Sequence, residues 1–237
     1  MSLVAEGVTC RYGPQTVLDG VDVTVEPGRV LGLTGPSGSG KSSLARILTG
    51  LRAPDSGTVL ADGRPVSARR GRMSGDLGLL HQSPRAATDP RMRLRGIIAQ
   101  PLTVRRRGTG PGIRGAGRGA DDARRVAELA RRVGLTGDLL DRRPDQVSAG
   151  QLQRACVARA LAAAPRYLVC DEPTAMLDAA STAAVAHLLT SLAEDGVGIL
   201  AISHDHALLD AWAHDVADLS QLEVPRAGHP AGRDASP

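Results

Sequence analysis

The sequence has no Phe, no Asn and a single lysine, Lys41, among its 29 Lys and Arg residues. Aromatic residues make up only 1% of it. A core must therefore be assembled from Leu, Val, Ala and Ile, and extended base-stacking surfaces of the kind single-stranded nucleic acid uses are excluded. Cys10, Cys156 and Cys170 are the whole cysteine complement, with no C-x-x-C spacing. That argues against a disulfide framework or a zinc site and fits a reducing compartment. No run reaches the roughly 18 apolar residues of a membrane helix. The start, Met-Ser-Leu-Val-Ala-Glu, has neither a basic region nor an apolar stretch, so no secretory leader is expected. Any service to a membrane would pass through a partner.

What is present is ample apolar material, 42% of 237 residues, enough for one large α/β domain or a core with a subdomain. The formal net charge is +4, with ten arginines between Arg91 and Arg125. With no aromatics interleaved, that run reads as a solvated loop and not as a nucleic-acid surface.

The chain is organised around Gly-Pro-Ser-Gly-Ser-Gly-Lys-Ser-Ser at residues 35–43. It follows an apolar run, Val30 to Leu33, and precedes a helical stretch, Ser43 to Thr49, the strand–loop–helix setting that a G-x-x-x-x-G-K-S pattern requires. Gly35, Gly38 and Gly40 let the backbone curl so that the N–H groups of Pro36-Ser37-Gly38-Ser39-Gly40, proline apart, turn inward on phosphate oxygens. The following helix start adds its dipole. Lys41 offers a point charge to β- and γ-phosphates, and Ser42 a hydroxyl to Mg²⁺. The scarcity of lysine, with no Asn and no Phe, fits a drift away from A/T-rich codons. One remains where a planar guanidinium fits badly.

Upstream, residues 3–9 and 17–25 read as strands flanking Tyr12, which either packs at a strand end or stacks on a nucleotide base. Downstream, Thr58–Ala61 and Arg64–Val66 around Asp62-Gly63 predict a hairpin. Leu77 begins a short strand ending in Gln82, which places that glutamine at the carboxyl end of a strand, where open α/β sheets bind ligands. Leu94–Leu102 predicts a helix. Residues 105–120 are too rich in Gly, Pro and Arg for a packed element and read as a mobile loop. Asp121 reads as the N-cap of a helix to about Val133. Val-Ser-Ala-Gly-Gln at 147–151 opens a helix through Ala163. Tyr167 to Asp171 is an apolar strand ending in Asp171 and Glu172, a carboxylate for Mg²⁺ and one to polarise an attacking water. Ala179–Leu192 is helical, and Val197–Ile202 is a strand ending at His204. Residues after about Leu219 read as frayed.

Taken together, these motifs resemble the nucleotide-binding subunit of an ATP-binding-cassette transporter, from Tyr12 to about Asp218. Tyr12 matches the aromatic loop, Gly35 to Ser42 Walker A, and Gln82 the Q-loop. Ser148 to Gln151 matches the signature, Leu168 to Glu172 Walker B, and Asp178 and His204 the D- and H-loops. The resemblance implies a P-loop NTPase core with a mixed sheet, an antiparallel β subdomain and a helical subdomain. The whole chain is then one nucleotide-binding domain. Residues 1–85 and 160–220 form the core with antiparallel β, 86–159 the helical subdomain with loop 105–120, and 221–237 a tail. It implies ATP bound by Tyr12, residues 35–43 (Ser43 included), Ser148, Gly150, Gln151 and Asp178. Mg²⁺ is implied at Ser42, Gln82 and Asp171, with catalysis by Glu172, His204 and Gln82. Two such subunits would pair head to tail, the signature of one closing on the ATP of the other, at the cytoplasmic face of a membrane on permease subunits. A solute-binding protein would complete the system, and no nucleic acid is expected.

A narrower likeness follows. His-Gln-Ser-Pro-Arg-Ala-Ala-Thr-Asp-Pro-Arg-Met at 81–92 is similar to the segment after the Q-loop in the dipeptide, oligopeptide and nickel importer branch, with Asp89 where Asn is usual. Ala149 and Met176 depart from the family pattern, and nothing after His204 resembles its final strands closely. The alternatives are an export ATPase, a soluble cassette acting on ribosomes or DNA, and a degenerate regulatory half. Intact Lys41, Asp171, Glu172 and His204 argue against the last.

Overall fold

The computed structural model describes residues 1–67, 76–107, 117–175 and 177–222. The apolar runs become strands of two sheets. β1 (Leu3–Tyr12), β2 (Gln15–Val25), β4 (Ser56–Ala61) and β5 (Arg64–Pro65) form an antiparallel sheet in the order β2-β1-β4-β5. β3 (Val30–Thr34), β6 (Leu77–Leu80), β7 (Tyr167–Asp171), β8 (Gly198–Ile202) and β9 (Asp215–Asp218) form a second sheet in the order β6-β7-β8-β3-β9, parallel throughout. Antiparallel and parallel pairing are both present, as expected, and are divided between the two sheets. β6 and β8 are buried along their whole length. Parallel strands covered on both faces read as continuous apolar runs, which is why these were legible.

The helices are α1 (Lys41–Leu48), α2 (Leu94–Arg107), α3 (Gly117–Arg132), α4 (Ala149–Ala162), α5 (Ala179–Glu194) and α6 (His206–Trp212). The parallel sheet separates two cores. One holds Leu94, Ile97 and Ile98 of α2, Val126 and Leu129 of α3, and residues of α4 and α5, against Leu168 and Cys170 of β7. The other packs Leu44 and Leu48 of α1 between Leu33 and Val169 of the parallel sheet and Leu3, Val8, Leu18 and Val59 of the antiparallel sheet. Leu, Val, Ile and Ala dominate both. Tyr167 is the one aromatic buried in them among the described residues. Its hydroxyl donates to Asp62 Oδ1 at 2.6 Å, and Arg166 pairs with the same carboxylate. The hairpin turn at Asp62 is thereby tied to the parallel sheet. Burial, then Asp62, pushes the Tyr167 phenol well above its ordinary pKa.

Several expectations change. Asp121 is not a helix cap: α3 begins at Gly117, and Asp121 lies within its second turn. Residues 105–107 and 117–120 belong to α2 and α3, so the loop reading for 105–120 loses both ends, and its middle, 108–116, lies outside the described residues. The late strand that seemed missing is β9, paired with β3 at the sheet edge. The chain past Leu219 continues in a 3-10 turn to Gln221, and Leu222 O accepts the Asp22 N–H at 3.1 Å. Residues 223–237 of the expected tail, and Met176, lie outside the described residues.

Candidate nucleotide site

β3 ends at Thr34 and α1 begins at Lys41, so residues 35–40 form the loop between them. Gly35, Gly38 and Gly40 have φ of 144°, 82° and 100°. At Gly40 a Cβ would also stand 2.5 Å from Leu18 Cδ2 and 2.8 Å from Val17 O. Only glycine fits there. Lys41 Nζ donates to the carbonyls of Gly35 at 2.6 Å and Pro36 at 2.7 Å, arching over the loop. The Ser39 hydroxyl is buried without a partner. A cation without a carboxylate and an orphan donor in one loop fit a bound anion.

This loop is one wall of a cleft of about 300 Å³. Ser37, Gly38, Gly40, Lys41, Ser42 and Ser43 face it, with Gln82 from beyond β6 and Asp171 and Glu172 from the end of β7. Residues far apart in sequence meet because β3 and β7 run parallel to one another with β8 between them. Glu172 has φ of 53°, a conformation rare outside glycine and costing on the order of 1–3 kcal/mol. Its N–H donates to Ile202 O at 3.0 Å, which holds the strained turn. Its carboxylate oxygens lie 3.1 and 3.0 Å from His204 Nδ1. A hydrogen on Nδ1 serves both. The His204 side chain is otherwise largely exposed, at 71%.

No group of three His, Cys, Asp or Glu side chains suited to a metal occurs among the described residues. The cleft offers instead a hydroxyl (Ser42), an amide (Gln82) and one carboxylate (Asp171). That donor set suits Mg²⁺, which takes few protein ligands and completes its shell with phosphate and water.

Tyr12 does not line the cleft but adjoins it. Its hydroxyl lies 3.2 Å from Ser43 Oγ, a contact that draws the phenol below its ordinary pKa. Ser148, Gly150, Gln151 and Asp178 do not line it either. Ser148 caps α4: its Oγ accepts the Gln151 N–H at 3.1 Å, while Gln151 Oε1 accepts the Ser148 N–H at 2.9 Å. Asp178 caps α5, accepting the Ser181 N–H at 2.9 Å and hydroxyl at 2.8 Å. The Ser181 amide, then its hydroxyl, lower the Asp178 pKa. Ser181 also faces Gly150, where a Cβ would stand 2.6 Å from its Oγ. The tip of α4 and the start of α5 are therefore joined through one serine.

Residues 18–175 match the model of the ABC transporter family. The chain belongs to that family. Its members are ATPases, and nucleotide binding is the shared activity. Among curated relatives, the nickel import ATP-binding protein NikE of Rhodospirillum rubrum is 40% identical, with 94% of this chain and 82% of the relative covered. NikE of Escherichia coli K12 is 34% identical, over 92% and 80%. Among solved structures, the cassette MJ0796, dimeric in a post-hydrolysis state with ADP and Pi bound, superposes with a TM-score of 0.78 at 25% identity, over 94% of this chain and 97% of that one. The cbiO1 protein of Clostridium perfringens, at 23% identity and a TM-score of 0.75, shares the fold. No helix among the described residues is long and apolar enough to cross a membrane.

Of the residues lining the cleft, sequence reasoning named all but Val17. It missed the Glu172–His204 bond, which only the β7–β8 pairing creates. It also missed the packing duty of Gly150 and the position of Arg52, whose guanidinium carbon lies 3.9 Å from the Tyr12 ring centroid.

Proposed function

We propose that this chain is the ATP-hydrolysing subunit of an importer, that it takes ATP with Mg²⁺ in the cleft between the phosphate loop and Glu172, and that its cargo is nickel ion. The convergence of Lys41, Ser42, Gln82, Asp171 and Glu172 on one cleft carries the first part. The likeness to nickel import ATP-binding proteins over nearly the whole chain supports the cargo; peptides are the second candidate, from the 81–92 likeness.

Lys41 and the loop amides hold the β- and γ-phosphates, and Tyr12 takes the adenine. Ser42, Gln82 and Asp171 hold Mg²⁺, which when bound offsets charge on the phosphate oxygens. Glu172 orients the attacking water and draws on its proton. His204 steadies the Glu172 carboxylate and presents its outer ring edge toward the terminal phosphate. Gln82, one of these metal ligands, shares the cleft with Glu172 and would also help to orient the water. Ser148, Gly150, Gln151 and Asp178 act on the nucleotide of a second cassette, identical or similar, in a head-to-tail pair. Closure of that pair on ATP drives permease subunits at the cytoplasmic face of the membrane, with a solute-binding protein delivering cargo. The organisation that fits this reading is a core of residues 1–85 and 160–220 with a helical subdomain at 86–159.

Glu172→Gln is expected to cut Mg-dependent ATP hydrolysis by about 10²–10⁴-fold while ATP-loaded dimers accumulate on size exclusion. Wild-type protein that neither binds nor hydrolyses ATP overturns the proposal. With its permease co-expressed, cells should accumulate nickel only when Glu172 is intact; ATP-dependent uptake of peptides without nickel moves the cargo to the second candidate.

A further inference from the structure

The side chain of Arg52 lies over the ring of Tyr12, its guanidinium carbon 3.9 Å from the ring centroid. Arg52 is held there from its own side. Its Nη2 donates to Arg11 O at 2.6 Å and lies 3.8 Å from Asp55 Oδ2. Asp55 Oδ2 accepts the Arg11 N–H at 2.7 Å, and the Asp55 N–H donates to Thr9 O at 2.9 Å. The backbone of Arg11, the carboxylate of Asp55 and the guanidinium of Arg52 thus close a ring of contacts immediately before Tyr12. At the other end, the Tyr12 hydroxyl meets Ser43 in the first turn of α1. The tyrosine is fixed at its tip and on one face, yet remains 46% exposed.

We infer that Arg52 is a nucleobase-positioning residue: stacked on one face of Tyr12, it holds the ring so that the opposite face receives the adenine of ATP. This rests on the proposed role of Tyr12. A ring at the end of a strand, beside the turn at Gly13, would otherwise sample several rotamers and be ordered only on binding. Arg52 sets the ring before the nucleotide arrives, so less freedom is lost at that step. The guanidinium is attracted by the ring's electron-rich face and, being planar, is able to stack on an aromatic ring as an ammonium is not. The cleft is lined by Ser37, Gly38 and Gly40 to Ser43 and not by Arg52, so the influence of Arg52 is expected at the base end of the ligand.

The test compares two ligands, Mg-ATP and Mg-inorganic triphosphate, titrated calorimetrically into wild type, Arg52→Ala and Tyr12→Ala. Arg52→Ala is expected to weaken ATP binding about two- to five-fold and to leave triphosphate binding unchanged, which also reports an intact phosphate loop. Tyr12→Ala is expected to weaken ATP further, again without effect on triphosphate. If Tyr12→Ala weakens ATP and Arg52→Ala binds it as wild type does, the inference falls while the platform role of Tyr12 stands. Tighter ATP binding in Arg52→Ala also overturns it, since the guanidinium would then occupy the place of the base. So does an equal loss of ATP and triphosphate, which marks a structural role alone. If Tyr12→Ala leaves ATP binding unchanged, the platform role fails and the inference with it.

Discussion

Two helix starts are assigned to phosphate in the proposed function, and they are built in opposite ways. α1 follows Gly40, which has no side chain, and no side-chain cap bonds its first turn. Its leading amides are left for a ligand, beside the ammonium of Lys41. α4 follows Ser148, whose hydroxyl and backbone N–H are both engaged by Gln151. The capping box makes the α4 tip complete by itself. Yet the Ser148 hydroxyl only accepts in that bond, so its proton remains available to donate. The first start is unfinished until an anion arrives within the same chain. The second is finished by its own capping box, and in the proposed head-to-tail pair its remaining donors would serve a second molecule.

Gly40→Ala should break this contrast most severely. A Cβ at φ of 100° and 2.5 Å from Leu18 costs about 1–2 kcal/mol in backbone strain alone, with overpacking of about 1–3 kcal/mol added. Loss of ATP binding by calorimetry, with a melting point lowered by roughly 5–10 °C, is the expected outcome. Next is Gly150→Ala. Its Cβ would press on Ser181, so ATP binding by the single subunit should persist while ATP-driven dimers of the Glu172→Gln protein weaken by about tenfold, near 1.4 kcal/mol. Adding Ser181→Gly should restore them, as light scattering on eluting species would report. A Gly150→Ala protein that dimerises normally removes the distinction between the two tips.

Ser148→Ala should cost about 1 kcal/mol of cap energy and about 2–4 °C in melting, with ATP binding by the subunit unchanged. The smallest effect concerns the thiols. Cys10, on β1 near the phosphate loop, and Cys156, on α4, are both buried, and burial raises both pKa values. Thiolate is therefore scarce at neutral pH, and a thiol reagent should label either only as slowly as the native state opens. Mass mapping of which reacts first ranks the two regions by local stability.

Most of the fold was legible because parallel strands buried on both faces are uninterrupted apolar runs, as in Tyr167 to Cys170. β9 was not, because Asp-Val-Ala-Asp at a sheet edge is only half covered and carries no such run. The start of α3 was hidden by Gly117 and Gly119, poor helix formers that made Asp121 look like the beginning. At the site, loop 35–43 and the pair Asp171–Glu172 were legible from spacing. Arg52 was not: nothing in Gly-Leu-Arg-Ala-Pro, between α1 and β4, marks that arginine as lying over the tyrosine that ends β1. Gly150 was read as a contact to ATP, while its lack of a Cβ also admits Ser181, a contact between α4 and α5 that only tertiary structure reveals.

Lys41, folded against the Gly35 and Pro36 carbonyls, has the only side-chain primary amine in the protein. Acylating or reductively methylating reagents, which elsewhere decorate dozens of positions, would here address this one side chain besides the N-terminal amine. Their uptake, and its suppression by a polyphosphate, turns ordinary amine chemistry into an occupancy gauge for the cradle.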